Sequence, residues 1–211
     1  MGTRLVASNF QNANLSGCRI HGAFTWNVKL QDARQLDIVV TPPGESVVTV
    51  DGLEAAQSVS LLLHNRQLHD MLDPAASRFA LIVGSFASDR KNILDGMRNI
   101  LRSGNCIPVS LDFGKYVRHD IKDRLAALAH MARFVVADFT SVGDMAQELG
   151  RIVSGLRTVP VITLLQSSEF ERETFEHIKS NPGLAGIYRY TDPEDLYRSL
   201  QQDSNVTARV N

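Results

Sequence analysis

Residues 133–150 read RFVVADFTSVGDMAQELG and combine a strand, a turn and the start of a helix. The apolar run FVVA at 134–137 is rich in β-branched residues, which is typical of a strand buried on both faces. Asp138 stands where that strand should end, a small polar turn with Ser141 follows, and the helical pattern after it carries Glu148. Ligands of open parallel sheets bind beyond the carboxyl ends of the strands. The stretch therefore predicts chemistry at this edge, faced by Asp138, Ser141 and Glu148.

Similar strand–turn–helix units lie on both sides of this stretch. Apolar runs predict four more strands, at 79–83, 106–111, 159–165 and 186–190. Helical spacing predicts helices at 90–103, 121–131, 169–179 and 192–201, besides the one that carries Glu148. Five strands that alternate with helices predict an α/β fold with a parallel five-stranded sheet. Right-handed crossovers would place helices on both of its faces.

The ends of the first three predicted strands should form one rim of the sheet. The residues at these ends are Gly84, Ser85, Phe86, Asp112, Phe113, Asp138, Thr140 and Ser141. Short turns of small residues before helices leave backbone N–H groups available for a phosphate or a ribose. The turns lack both the G-x-G-x-x-G spacing and the lysine of a P-loop. Small residues in such turns also occur for purely steric reasons, so the rim predicts a pocket without identifying its ligand.

The first 32 residues repeat with a period of five. From Thr3 the units read TRLVA, SNFQN, ANLSG, CRIHG, AFTWN and VKLQD, and five of the six central residues are large and apolar. Neither an α-helix nor a strand has this period, whereas a square-sectioned β-solenoid does. Six units make about one and a half coils, and solenoid repeats need neighbours. We therefore expect either a truncated chain or a protein that stacks end to end.

The pattern divides the chain into four segments. Residues 1–50 form the repeat-like β segment, which continues after the repeats with short strands at 37–40 and 47–50. Residues 51–74 form a connecting helix with Asp51 as its N-cap, and its apolar stripe packs either on its own chain or on a second copy. Residues 75–203 form the α/β domain and residues 204–211 a tail.

The composition describes a soluble globular chain, with 44% hydrophobic and 21% charged residues. A formal net charge of −1 offers no basic surface for nucleic acid and no attraction to an anionic membrane. The apolar runs are shorter than the ~20 residues that span a bilayer, and no signal peptide is evident. Cys18 and Cys106 lie far apart and are expected to be unbridged, buried thiols of a cytoplasmic protein. The histidines have no metal-ligand spacing.

The order of elements in residues 78–202 resembles a Toll/interleukin-1 receptor (TIR) domain and the related nucleoside 2-deoxyribosyltransferases. In the latter, a strand-end Asp and a helical Glu-Leu-Gly form the site, as at Asp138 and residues 148–150. ANLSG at 13–17 matches the unit of the pentapeptide-repeat family, A-(D/N)-L-x-x. The chain as a whole is similar to bacterial proteins in which pentapeptide repeats precede a TIR-like domain. The resemblance implies a flavodoxin-like or TIR-like sheet.

The resemblance also implies an activity. In enzymatic TIR domains a helical glutamate works at the anomeric carbon of a ribosyl group, where a carboxylate stabilises or attacks an oxocarbenium-like centre. Glu148 would be this catalytic carboxylate. The substrate-binding residues would be Gly84, Ser85, Phe86, Arg90, Asp112, Phe113, Asp138 and Ser141. The implied protein cleaves NAD as a substrate, holds no bound cofactor or metal, and acts in bacterial defence when it self-assembles end to end or through its TIR-like domains.

Two other functions fit the same residues. Many TIR domains are signalling or assembly scaffolds without activity, in which the rim binds a nucleotide or nothing. Asp144 and Met145 stand where enzymatic TIR domains often carry a Trp-Cys pair, which favours this alternative. Transfer of a deoxyribosyl group between nucleobases is the third possibility.

Overall fold

The computed structural model describes residues 2–65, 78–86, 90–113, 121–140, 146–156, 159–166 and 184–202, with only the backbone of 146–148. Within these ranges the strands are β1 (Arg4–Val6), β2 (Phe24–Trp26), β3 (Ile38–Val39), β4 (Val47–Val50), β5 (Phe79–Gly84), β6 (Ile107–Asp112), β7 (Phe134–Asp138), β8 (Val161–Gln166) and β9 (Leu184–Tyr190). The helices are α1 (Leu53–His64), α2 (Lys91–Ser103), α3 (Ile121–Met131), α4 (Ala146–Gly155) and α5 (Pro193–Gln202). The predicted helix at 169–179 and the tail at 204–211 lie outside the described residues.

The main sheet is mostly parallel, as the alternating pattern predicted. Within the described residues it contains seven strands in the order β3-β4-β6-β5-β7-β8-β9. The five adjacent strands β6, β5, β7, β8 and β9 are parallel to one another, whereas β4 pairs antiparallel with both β6 and β3. The α/β class is thus confirmed, and the prediction of five strands is wrong. The two extra strands were predicted as elements of the N-terminal segment, but local pattern does not reveal that β4 pairs with β6.

Helices cover both faces of the parallel strands. Successive strand residues point to opposite faces, so alternate residues of β5 enter two different cores. Leu81 and Val83 pack with residues of α1, α3 and α4. Ala80 and Ile82 pack with residues of α2 and α5. All five residues of β7 are buried, which confirms the prediction of a strand buried on both faces.

Helix α1 begins differently from the prediction. Its N-cap is Gly52, with φ 86°, and no side chain caps the first turn. The Leu53 N–H instead donates to Gln35 Oε1 at 2.9 Å. Asp51, predicted as the cap, accepts the Asp37 N–H at 2.9 Å and pairs with Arg102. The capping prediction is wrong because both partners of Asp51 come from other elements.

The N-terminal segment pairs with itself in parallel at a constant offset of 20 residues. Strands β1 and β2 pair in parallel, with Arg4 opposite Phe24. Three isolated parallel bridges keep the same offset, at 9–29, 14–34 and 19–39. Residues with positive φ recur every five positions: Ala7, Asn12, Gly17, Gly22, Asn27, Asp32 and Asp37. The five-residue period is therefore present in the backbone, and the solenoid itself stays a prediction.

Three ion pairs fix residues 37–51 to the helices of the α/β part. Arg98 of α2 pairs with Asp37, Arg102 of α2 with Asp51, and Arg124 of α3 with Glu45. Arg98 is buried and also donates to Thr49 Oγ1 at 2.8 Å and Ser110 Oγ at 3.2 Å. Residues 38–50 consequently extend the main sheet, although the sequence grouped them with the repeats.

The two cysteines differ in their exposure. Cys106 is buried, whereas Cys18 is exposed, so the predicted burial of Cys18 is wrong. Neither cysteine is in a disulfide. None of the helices in the described ranges combines the length and apolar character needed to cross a membrane.

Candidate functional site

The strand order reverses at the carboxyl ends of β5 and β7. From β5 the chain first adds β6 on one side and then returns to add β7 on the other. In doubly wound sheets, ligands bind in the crevice at this switch point. Gly84 ends β5 and Asp138 ends β7. A Cβ at Gly84 would lie 3.1 Å from the Cβ of Asp138, so the two strand ends are in direct contact.

Asp138 is fully buried, and donors from two elements hold its carboxylate. The Arg90 guanidinium, immediately before α2, donates from Nη2 to Asp138 Oδ2. The Thr140 N–H donates to Asp138 Oδ1 at 2.9 Å. The predicted contact between Asp138 and a ribose stays a prediction. In this structure the carboxylate positions Arg90 and the β7 turn.

Three further polar residues complete this cluster: Thr140, which the sequence placed at the rim without a role, and Gln166 and Tyr190, which it did not place there. Tyr190, at the end of β9, accepts a hydrogen bond from Arg90 Nη2 through its hydroxyl. The same hydroxyl lies 3.3 Å from Thr140 Oγ1, and Thr140 Oγ1 accepts the Gln166 N–H at 2.9 Å. Gln166, at the end of β8, also accepts from Arg90 Nη1 through Oε1 at 3.0 Å. The rule about strand ends could have found Gln166 and Tyr190, since both occupy the carboxyl ends of parallel strands.

The cluster shifts the acidity of its members. Burial raises the pKa of the Asp138 carboxyl, against the opposing effects of Arg90 and the Thr140 N–H. Burial acts to lower the pKa of Arg90, but the Asp138 carboxylate and the Tyr190 hydroxyl reverse this, and the net shift is upward. Burial, followed by the charge of Asp138, raises the pKa of Tyr190. Arg90 therefore remains a cation, and the Asp138 carboxylate balances its charge inside the protein.

A second set of contacts joins the carboxyl ends of β5 and β6. The Phe86 N–H donates to Asp112 Oδ1 at 3.2 Å, and the Phe113 N–H donates to the Gly84 carbonyl at 2.9 Å. The Phe86 ring is buried, and a Cβ at Gly84 would lie 2.9 Å from its Cζ. Ser85 is half-buried between them. Any larger residue at position 84 would displace the ring, so glycine is required there by close packing.

The two remaining predicted site residues are described only in part. Ser141 lies outside the described residues. Glu148 is the third residue of α4, in its first helical turn, and its side chain is outside the described part. Since α4 follows β7, the backbone of Glu148 belongs to the same strand–helix unit as Asp138. The structure thus brings together Gly84, Phe86, Arg90, Asp112 and Asp138 at one edge.

Most hydrogen-bond donors of the cluster already have an acceptor. The exception is Arg90 Nε, which is buried and has no hydrogen-bond partner within the described structure. No group of three or more His, Cys, Asp and Glu side chains in the described ranges is placed to hold a metal ion. Within the described residues the edge therefore holds one buried cation, Arg90, with a donor atom that has no acceptor there.

No protein-family model matches this chain, and a search of curated proteins finds no match. The resemblance to TIR-like domains stays a prediction.

Proposed function

We propose that the chain binds a ribosyl nucleotide at the β5/β7 switch point and hydrolyses the N-glycosidic bond of NAD there. One observation carries this proposal. The reversal of strand order falls between Gly84 and Asp138, and α4, which follows β7, carries Glu148 in its first turn. Doubly wound sheets bind nucleotides at that position.

The proposed chemistry needs one carboxylate and one water molecule. The bond between C1′ of the ribose and the nicotinamide nitrogen breaks, and its electron pair leaves with nicotinamide, which departs uncharged. Positive charge develops on the ribosyl ring, where the Glu148 carboxylate would stabilise it or attack C1′. Water then supplies the hydroxyl at C1′ and releases a proton. Because the leaving group is neutral, the reaction requires no strong general acid.

The buried cluster has a supporting role in this proposal. Asp138 and Arg90 neutralise each other, and with Tyr190 they connect the ends of β7 and β9 to the start of α2. A site residue has to be held within a fraction of an ångström to be effective. Arg90 and Asp138 would accordingly position the turns around the nucleotide. Glu148 alone would be the catalytic residue.

The test is release of nicotinamide from NAD, measured by chromatography at several protein concentrations. Glu148→Gln keeps the shape of the side chain and removes its charge, and it should lower turnover by on the order of 10²-fold. Glu194→Gln is the matched control, because Glu194 is an exposed glutamate in the first turn of α5. Equal turnover by the wild-type protein and the Glu148→Gln variant would refute the assignment of Glu148.

A second candidate is a nucleotide-binding scaffold without turnover. The burial of Asp138 favours it, because this one of the three carboxylates predicted at the ligand is already held by Arg90 and Thr140. This function predicts saturable binding of NAD by calorimetry with no release of nicotinamide. Exchange of the base in the presence of free adenine would instead indicate deoxyribosyl transfer.

A further inference from the structure

The repeat segment carries an exposed apolar face on β1 and β2. Within the described residues, the large apolar side chains that are strongly exposed are Val6 at 54%, Phe24 at 47%, Trp26 at 66% and Leu61 at 55%. Three of these four lie on the two paired strands. Single exposed apolar residues are common, but a contiguous group with aromatic members marks an interaction surface.

The register of β1 and β2 fixes the arrangement of this face. Arg4 lies beside Phe24, and Val6 lies beside Trp26. Residues two apart in a strand share a face, and partner residues of parallel strands point the same way. Arg4, Val6, Phe24 and Trp26 therefore form a rectangle, about 4.8 Å across the strands and about 6.7 Å along them. We call these four side chains the β1–β2 face.

We propose that the β1–β2 face joins two copies of this chain around a twofold axis. An isologous contact uses the same patch on both subunits, so the patch must be complementary to itself. With the axis in the plane of contact and parallel to the strands, Arg4 lies over Phe24 of the partner subunit. Val6 then lies over Trp26 of the partner subunit.

Both contacts in this arrangement are favourable. A guanidinium over an aromatic ring is attracted by the ring quadrupole. Val6 over Trp26 removes apolar surface from water on both subunits. The two Arg4 side chains do not face each other, so no like charges meet. Aligned strands also suit the packing of one sheet on another, where strand directions stay within about 30° of each other.

The size of the face sets the expected strength. Stable complexes bury about 800 Å² on each partner, and four side chains on two short strands supply less than that. We therefore expect a weak dimer, with a dissociation constant on the order of 100 µM. This self-association does not depend on the nucleotide site.

The test uses the fact that Trp26 is the only tryptophan of the chain. As the protein concentration rises, the mass measured by sedimentation equilibrium should move from one chain to two. Over the same range, tryptophan emission should shift to shorter wavelength, and its quenching by iodide should fall. Arg4→Glu should weaken association roughly fivefold or more, because it replaces the attraction to the ring with repulsion. Val6→Asp should weaken it further and keeps the tryptophan reporter.

Leu61→Asp is the control, since Leu61 is equally exposed but lies on α1. The proposal requires a dimer in the wild type and in Leu61→Asp that is weakened in Arg4→Glu and Val6→Asp. Both face variants change exposed side chains, and circular dichroism will verify that they fold. A single-chain mass at every concentration would overturn the proposal and leave a different protein as the occupant of this face. A dimer that is unaffected by Arg4→Glu and Val6→Asp, or abolished by Leu61→Asp, would also overturn it.

Discussion

Arg90 and Asp138 form a buried ion pair between the start of α2 and the end of β7. The two residues are 48 positions apart in the chain. Each has a further partner, since Arg90 donates to Tyr190 and Asp138 accepts the Thr140 N–H. The pair therefore connects three strand–helix units at the edge where we place the nucleotide site.

Breaking this pair should be costly for the fold. Asp138→Ala leaves the Arg90 cation buried without its counter-charge, and we expect the free energy of unfolding to fall by about 3–5 kcal/mol. The double variant Arg90→Met/Asp138→Leu removes both charges and should lose less than the sum of the two single variants Arg90→Met and Asp138→Leu. Urea unfolding measures all of these. A double variant at least as damaging as that sum would contradict the coupling.

A matched control for this experiment is Asp95→Ala. Asp95 also pairs with an arginine of α2, Arg98, at 3.6 Å, but its side chain is 49% exposed. Arg98 keeps its ion pair with Asp37, and a half-exposed carboxylate contributes little, so the change should stay within about 0.5 kcal/mol.

The Tyr190 hydroxyl should make stability depend on alkaline pH. Burial, then the charge of Asp138, raises the folded-state pKa of Tyr190 above that of an unfolded tyrosine, about 10. The hydroxyl's contribution is then fully present below about pH 10 and is lost as the pH rises through the folded-state pKa. Tyr190→Phe keeps the ring and removes the titrating group. Its unfolding free energy should fall less steeply with rising pH than that of the wild type, and an equal slope would refute the assignment.

Gly96 in α2 should not tolerate a methyl group. A Cβ there would lie 2.0 Å from Cζ of Tyr197, whose hydroxyl donates to the Asn92 carbonyl at 2.6 Å. Helix propensity alone predicts that Gly96→Ala stabilises by about 1 kcal/mol. We expect the opposite, a loss of about 1–3 kcal/mol from the steric conflict. Gly155→Ala in α4 is the control, because a Cβ there meets nothing within 4 Å, and it should not destabilise. Thermal unfolding of both variants tests the contrast.

Thr163 in the middle of β8 should be replaceable by valine at no cost. Its Oγ1 is buried and makes no hydrogen bond within the described structure. Burying a hydroxyl without a partner costs about 1–3 kcal/mol. Thr163→Val has nearly the same shape and should be neutral or raise the unfolding free energy by up to about that amount. A clear loss of stability in urea would mean that the hydroxyl has a partner in the native protein.

The local patterns of the sequence predicted most of the strands and helices of the α/β part. In the α/β part, the helix at 121–131 has the predicted bounds, and the other described elements with predicted bounds shift by one or two residues at their ends. The connecting helix predicted over 51–74 was wrong at its end, since α1 ends at His64 and its C-cap, Asn65, has extended backbone. The predicted strand ends brought Gly84 and Asp138 to one edge, because parallel strands share a direction. The sequence did not predict the pairing of β4 with β6, since the side-chain pattern of a strand does not show which strand lies beside it. Tyr190 ends a parallel strand, so the sequence could have placed it at this edge. Its contact with Arg90, 100 positions away, could not be predicted from local pattern.

The sequence by itself determined which segments are strands, which are helices and where the five-residue period runs. These properties depend on the spacing of side chains over a few residues, which the chain carries in any environment. The tertiary structure decided the order of the strands, the extension of the sheet by residues 38–50 and the burial of Asp138 against Arg90. Those depend on contacts between distant segments, where hydrogen bonding, charge pairing and the close approach permitted by Gly84 and Gly96 must be satisfied together. The sequence at 133–150 therefore predicted a strand that ends at Asp138, and only the tertiary structure showed that Asp138 pairs with Arg90.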